Sequence, residues 1–311
     1  MREQESPLSC IALAALFAVG NTLMRYPWKN TESSVLFFFL LSVLTSLFIT
    51  LLGYALMRRL YRKRLSGKAK RCLAVFTAIL LVGYAWLCAC ETCRDYLSYA
   101  LEMILPDGSR LILAAILVLS VISLASLGAR GLRSFSFLCF LLVASAVLAL
   151  FAIGIPYFQA ENLSLEFPTH FDAIKDLPSS FWDDVLLPPV VLSAYFALAI
   201  PQKRKGALVL GMLIGYGLLL LCVLQALFCF GADYTAELSY PYSFSVRIPS
   251  VGPYFFRPEG LSYPTDLLSC LLRSAVCLAT IKRLFGRFYP RFSRWLLPVC
   301  ALLLFGILIL R

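Results

Sequence analysis

The chain has 311 residues, 60% of them hydrophobic and 14% charged, with a mean hydropathy of +0.83. Soluble domains are about half apolar and about a quarter charged, so an ordinary soluble domain is excluded and an integral membrane protein indicated. The net charge of +11 is concentrated in loops between apolar runs, the pattern of a topology signal and not of nucleic-acid binding.

A bilayer core of about 30 Å is crossed by about 20 apolar residues in a helix, which satisfies its own backbone groups. Nine runs are expected to form such spans: Leu8–Pro27, Ser34–Met57, Cys72–Cys90, Leu111–Leu127, Phe135–Ile155, Val185–Ile200, Ala207–Phe230, Asp266–Ile281 and Trp295–Leu310. The third is expected to continue as a polar helical extension through Glu91–Leu105. The first does not read as a signal peptide, because its flank MREQESP holds two acids against one base and no small-x-small site follows. Within it lies ALFAVGNTLMRYPW, whose centre Gly20-Asn21-Thr22 makes a soft, polar waist with Arg25 close behind.

Basic residues gather in alternate loops, at Arg58–Arg71, Arg130–Arg133, Lys203–Lys205 and Lys282–Arg294. The positive-inside rule then places the N-terminus in the cytoplasm. The run MRRLYRKRLSGKAKR is expected to be a solvated inner loop, of a charge that suits anionic lipid heads. The two longest outer loops, residues 157–183 and 232–264, are aromatic and of a length that is often functional, although Tyr, Trp and Phe also favour the membrane boundary for packing alone.

Cysteine and histidine offer no metal set. Cys88, Cys90 and Cys93 of CACETC do not share a helix face at 100° per residue. His170 is the only histidine. Cysteines in apolar spans act as small hydrophobes.

Spans one to five are odd in number, so span six enters in the sense opposite to span one, as an inverted repeat requires. Residues 1–156 form the first five-helix half and 184–311 the second, within one polytopic domain. The waist at Gly20 in span one is matched by Leu187-Pro188-Pro189 in span six, followed by Ser193 and Tyr195. Paired interruptions of this kind mark transport sites. Proline lacks an amide donor, so a kink is expected near Pro188-Pro189.

Four stretches carry a family resemblance: SPLSCIALAALFAVGNTLMRYP, CRDYLSYALEMILPDGSR, the segment from LPPVVLSAYFALAIPQKRKG to GADYTAELSYP, and LLRSAVCLATIKRLFGRFYPRFSRWLLPVCALLLFGILIL. They resemble the endospore-germination permeases, the GerAB-type B subunits of nutrient germinant receptors, within the amino acid–polyamine–organocation transporter superfamily. The resemblance implies an all-α, LeuT-like inverted-repeat bundle. The family has ten membrane helices, and this chain matches nine. It further implies a non-enzymatic, cofactor-free, multi-pass subunit of a bacterial cell or spore membrane. That subunit binds an amino acid or similar small nutrient and works with A- and C-type receptor subunits. An amino acid or polyamine transporter is the alternative, and a ligand-blind scaffold a third possibility.

In that fold the broken helices one and six expose backbone groups that suit a zwitterion. The implied ligand residues are Gly20, Asn21, Thr22, Pro188, Pro189, Ser193 and Tyr195, with Tyr84 and Thr77 as weaker candidates. Helix–helix hydrogen bonding is the competing role for Asn21 and Thr22. Arg273, at the centre of span eight, is costly in hydrocarbon and should face an interior, where it either holds a carboxylate or pairs within the protein. Asp266 precedes it by two turns on the same face, about 10 Å along the axis. Arg94 and Asp95, at the outer end of span three, are gate candidates.

Overall fold

The computed structural model describes residues 6–20, 35–62, 68–163, 179–200, 205–249, 258–289 and 293–310. These are helical almost throughout, with no strand among the described residues. The helices are α1 (Pro7–Val19), α2 (Val35–Arg62), α3 (Lys68–Tyr99), α4 (Arg110–Ser126), α5 (Gly128–Gly154), α6 (Ser179–Ala199), α7 (Lys205–Glu237), α8 (Pro241–Arg247), α9 (Glu259–Phe288) and α10 (Ser293–Leu310). The described part of each of the nine apolar runs falls on one of them, residues 21–27 of the first run lying outside the described residues. Among the described residues four segments, Val35–Tyr61, Cys72–Ile104, Gly128–Tyr157 and Lys205–Thr235, are long and apolar enough to cross a membrane. Large apolar side chains such as Leu44, Phe48, Leu119 and Leu302 stand exposed on the outside of the bundle, the surface that lipid would cover.

The helical extension expected after span three is present. Helix α3 runs to Tyr99 and widens into one π turn over Ala100–Ile104, closed by Leu105 N–H donating to the Ala100 carbonyl at 2.8 Å. The outer loop expected over 232–264 is instead largely helical where described. Tyr240-Pro241 starts α8, with the proline in the first turn, where its missing N–H costs no bond. Conversely, α7 carries an unforeseen break at Gly231 (φ 76°, ψ 171°). Asn162 docks beside it, its Nδ2 donating to the Phe228 carbonyl at 3.1 Å.

Helix α6 continues through Pro188 and Pro189, so the pair does not end the helix as Gly20 ends α1. Each proline removes one amide donor, freeing the carbonyls at 184 and 185. Both rings are buried, and packed neighbours hold a helix together across such a loss. Helix α1 ends at Val19, where Gly20 has φ 24° and ψ −125°; the rest of the expected first span, residues 21–27, lies outside the described residues.

Helix α9 is the hub, touching α1, α3, α4, α5, α6, α8 and α10. Residues 269–281 are buried on every side, which is how a central helix reads. Helix α1 lies against α7 through small residues. A β-carbon on Gly215 would come within 2.5 Å of the Ala15 carbonyl and 2.9 Å of Ala18 Cβ, and Gly211 is held as tightly against Ile11 and Ala14. Gly211 and Gly215 are four apart, the small-xxx-small spacing that lets membrane helices approach closely.

The helix pairings have a partial internal symmetry, broken by α6–α9, whose counterpart α1–α3 makes no comparable contact. Exchange α1 with α6, α2 with α7, α3 with α9 and α4 with α10. The pair α1–α7 then becomes α2–α6, α1–α9 becomes α3–α6, and α4–α9 becomes α3–α10. The pairs α3–α9, α4–α10, α2–α7 and α1–α6 map onto themselves. Each of these contacts is present.

Candidate functional site

Two clusters of buried polar side chains, called chambers below, lie along one face of α9. Its side chains Ser262, Thr265, Asp266, Ser269, Cys270, Arg273, Ser274, Cys277 and Thr280 recur at steps of three and four and are all buried. They make a stripe of small and polar groups facing its neighbours.

The first chamber is built where α1 ends. Gly20 is required twice over. Its positive φ belongs to the region glycine enters freely, and a β-carbon there would sit 2.5 Å from Arg273 Cδ and 2.7 Å from its Nη1. Arg273 is 4% exposed, and its guanidinium carbon lies 5.8 Å from the centroid of the Phe17 ring. The thiols of Cys88 on α3 and Cys277 on α9 flank it. A guanidinium at the C-terminal end of α1 complements the partial negative charge of the helix carbonyls. Along the α3–α9 seam, Cys93 Sγ donates to Ser274 Oγ at 3.3 Å and Cys270 Sγ to the Thr92 carbonyl at 3.5 Å. All eleven cysteines are free thiols. Among the described residues no group of three or more His, Cys, Asp or Glu is arranged to hold a metal ion.

The second chamber surrounds Asp266, which has no exposed surface. Among the described residues neither carboxyl oxygen has a hydrogen-bond partner, and the same holds for Ser269 Oγ and Tyr242 OH. The Tyr99 hydroxyl faces the carboxyl without forming a proper bond to it. Ser243 Oγ of α8 donates to Tyr99 OH at 3.0 Å. Tyr242, Cys222 and Tyr96 border the same space. The Tyr99 ring lies 5.1 Å from Tyr240 and 6.3 Å from Tyr263. Above them, Arg247 Nη2 donates to the Met103 carbonyl and to Tyr263 OH, both at 3.1 Å. This arginine ties α8 to the π turn and to α9.

The sequence candidates divide between these places. Gly20 and Arg273 meet, while Asn21 and Thr22 lie outside the described residues. Pro188 and Pro189 are buried in α6. Ser193 bonds back to the Val190 carbonyl at 2.7 Å and faces Gly53 of α2, where a β-carbon would approach its Oγ to 2.6 Å. It serves that helix contact and is not in the Arg273 chamber. Tyr195 lies at the end of the bundle where α1 starts, near Cys10 and Arg133, with Arg283 5.7 Å over its ring. Tyr84 is 42% exposed and points away from both chambers, and Thr77 bonds Tyr61 OH at 3.0 Å. Of the gate pair, Arg94 is exposed and Asp95 turns inward toward Cys270.

Sequence reasoning placed Asp266 on the face of Arg273 but missed Tyr99, Tyr242, Ser243 and Ser269 around it. The three-and-four recurrence along α9 was the available signal. No protein-family model matches the chain, and no curated protein matches it.

Proposed function

We propose that this protein is the nutrient-binding membrane subunit of a spore germinant receptor of the GerAB type, holding an amino acid in a transporter-like chamber at Gly20 and Arg273. The observation that carries the reading is the end of α1 at Gly20 directly against the buried Arg273 guanidinium. A guanidinium pairs well with a carboxylate, and the free carbonyls at a helix C-terminus suit an ammonium. An α-amino acid brings both groups within a few ångströms of each other.

The partial exchange symmetry of the helix pairings supports a LeuT-like inverted repeat, in which α1 and α6 are counterparts. On this reading nine helices cross a bacterial inner membrane with the N-terminus in the cytoplasm. Nutrient binding shifts a conformational equilibrium, to the extent that the two states differ in affinity. A- and C-type receptor subunits read that shift. The unbroken α6 favours sensing over transport, since alternating access in this fold draws on two discontinuous helices.

Deletion of the gene in its spore-forming host, followed by exposure of spores to single amino acids, tests the reading. Loss of germination to one or a few nutrients is expected. Unchanged germination to every nutrient, with no paralogue present, contradicts it.

A further inference from the structure

The Asp266 chamber contains buried polar atoms that the Arg273 chamber does not use. Both Asp266 carboxyl oxygens, the Ser269 hydroxyl one step of three along the same face of α9, and the Tyr242 hydroxyl, which neighbours Asp266, have no hydrogen-bond partner among the described residues. Buried polar groups are normally satisfied, and a carboxylate without a donor is the most costly exception. The Tyr99 hydroxyl is the near donor that faces the carboxyl, and the acceptor positions it does not fill suit a donor from outside the chain.

The cations nearest in sequence are engaged elsewhere. Arg247 is bonded to Met103 and Tyr263 and lies 5.7 Å over the Phe244 ring. Arg273, two turns along α9, is turned to Gly20, Phe17, Cys88 and Cys277. The chamber wall is aromatic, with Tyr96, Tyr99 and Tyr242 bordering Asp266 and Tyr240 and Tyr263 against Tyr99. Aromatic faces attract organic cations. A bare alkali ion would need oxygen on the sides that these rings occupy. An ammonium needs only two or three acceptors for its N–H groups, and the carboxyl and hydroxyl oxygens supply them.

We propose that the Asp266 chamber is a binding site for a primary ammonium group, held by the Asp266 carboxylate and the hydroxyls of Ser269 and Tyr242. The carboxylate supplies the charge complement and both of its acceptors. The hydroxyls take the remaining N–H, and the tyrosine rings form the apolar wall. The ammonium belongs either to a free alkylamine or to the amino end of a larger nutrient. The site does not depend on how the Arg273 chamber is used.

The test is calorimetric titration of the full-length protein in lipid nanodiscs. The probes are methylammonium, tetramethylammonium and sodium, as chlorides at matched ionic strength. Methylammonium is expected to bind saturably at one site, with tetramethylammonium and sodium giving no saturable signal. Asp266→Asn should weaken methylammonium by about 30-fold or more, the loss typical of unpairing a buried charge. Tyr242→Phe and Ser269→Ala keep the packing and should each weaken it by about three- to tenfold. These two decide the matter if Asp266→Asn fails to fold. Gly217→Ala, where the added β-carbon meets nothing, should leave methylammonium affinity unchanged. Competition between methylammonium and a bound amino acid assigns the ammonium to the nutrient, and independent binding assigns it to a free amine; both support the site. No binding by the unaltered protein, equal binding of sodium or tetramethylammonium, or full affinity in Asp266→Asn or in both hydroxyl variants overturns it.

Discussion

Arg273 Cδ lies 2.5 Å from the place where a β-carbon on residue 20 would stand. The end of α1 and the centre of α9 are therefore fitted to each other, glycine against arginine. Gly20→Ala adds both a clash and a positive-φ penalty, and should cost about 1–3 kcal/mol. In the background of Arg273→Ala the clash is gone and only the backbone penalty remains. A double-mutant cycle on thermal or denaturant unfolding in detergent should give a coupling of about 0.5–3 kcal/mol. Strict additivity would mean that the two residues do not touch.

The α1–α7 contact predicts a second effect. Gly215→Val would push a branched side chain into the Ala15 carbonyl and Ala18 Cβ. A loss of about 1–3 kcal/mol follows from overpacking, seen as a lower unfolding midpoint. Gly217 has nothing near its would-be β-carbon, so Gly217→Ala is the matched control and should be close to neutral.

Arg247 bonds α8 to the Met103 carbonyl and the Tyr263 hydroxyl. Arg247→Ala removes both contacts and should loosen α8 over the Asp266 chamber. Cys222, buried beside Tyr242, reports on this. Peptide-level mass spectrometry should find faster maleimide modification of Cys222 in the variant, with Cys139 in α5 unchanged as an internal reference. Equal rates at Cys222 would show that Arg247 does not secure this end.

Much of the fold was legible because lipid imposes a simple rule. The described part of every apolar run read as a span lies on a helix, and α1 ends at Gly20. The errors share one cause. Proline at 188 and 189 and the aromatic outer stretch were judged from local chemistry, whereas packing decided both. Burial holds α6 continuous through its prolines and folds Tyr240-Pro241 into a helix start. The Asp266 chamber escaped notice for a related reason. Tyr99, Tyr242 and Asp266 come from three distant segments, and no local pattern brings them together. Ser193 and Tyr195 were grouped with Gly20 because the fold resemblance placed them there, but one faces Gly53 and the other the far end of the bundle.

The receptor and transporter readings use one chamber and part at its output. In proteoliposomes a transporter accumulates or exchanges labelled amino acid, whereas a receptor subunit binds it without net uptake. Binding without uptake is the expected outcome. Time-dependent accumulation above the bound amount would assign transport.

The most direct measurement is the affinity of the purified protein for a panel of amino acids, compared with Arg273→Ala and Arg273→Lys variants of confirmed helical content. At least one amino acid should bind saturably to the unaltered protein. Its affinity should fall about tenfold or more in Arg273→Ala and be partly restored in Arg273→Lys. Equal affinity in all three proteins, or no amino acid bound at all, would contradict the assignment of Arg273 to a nutrient chamber.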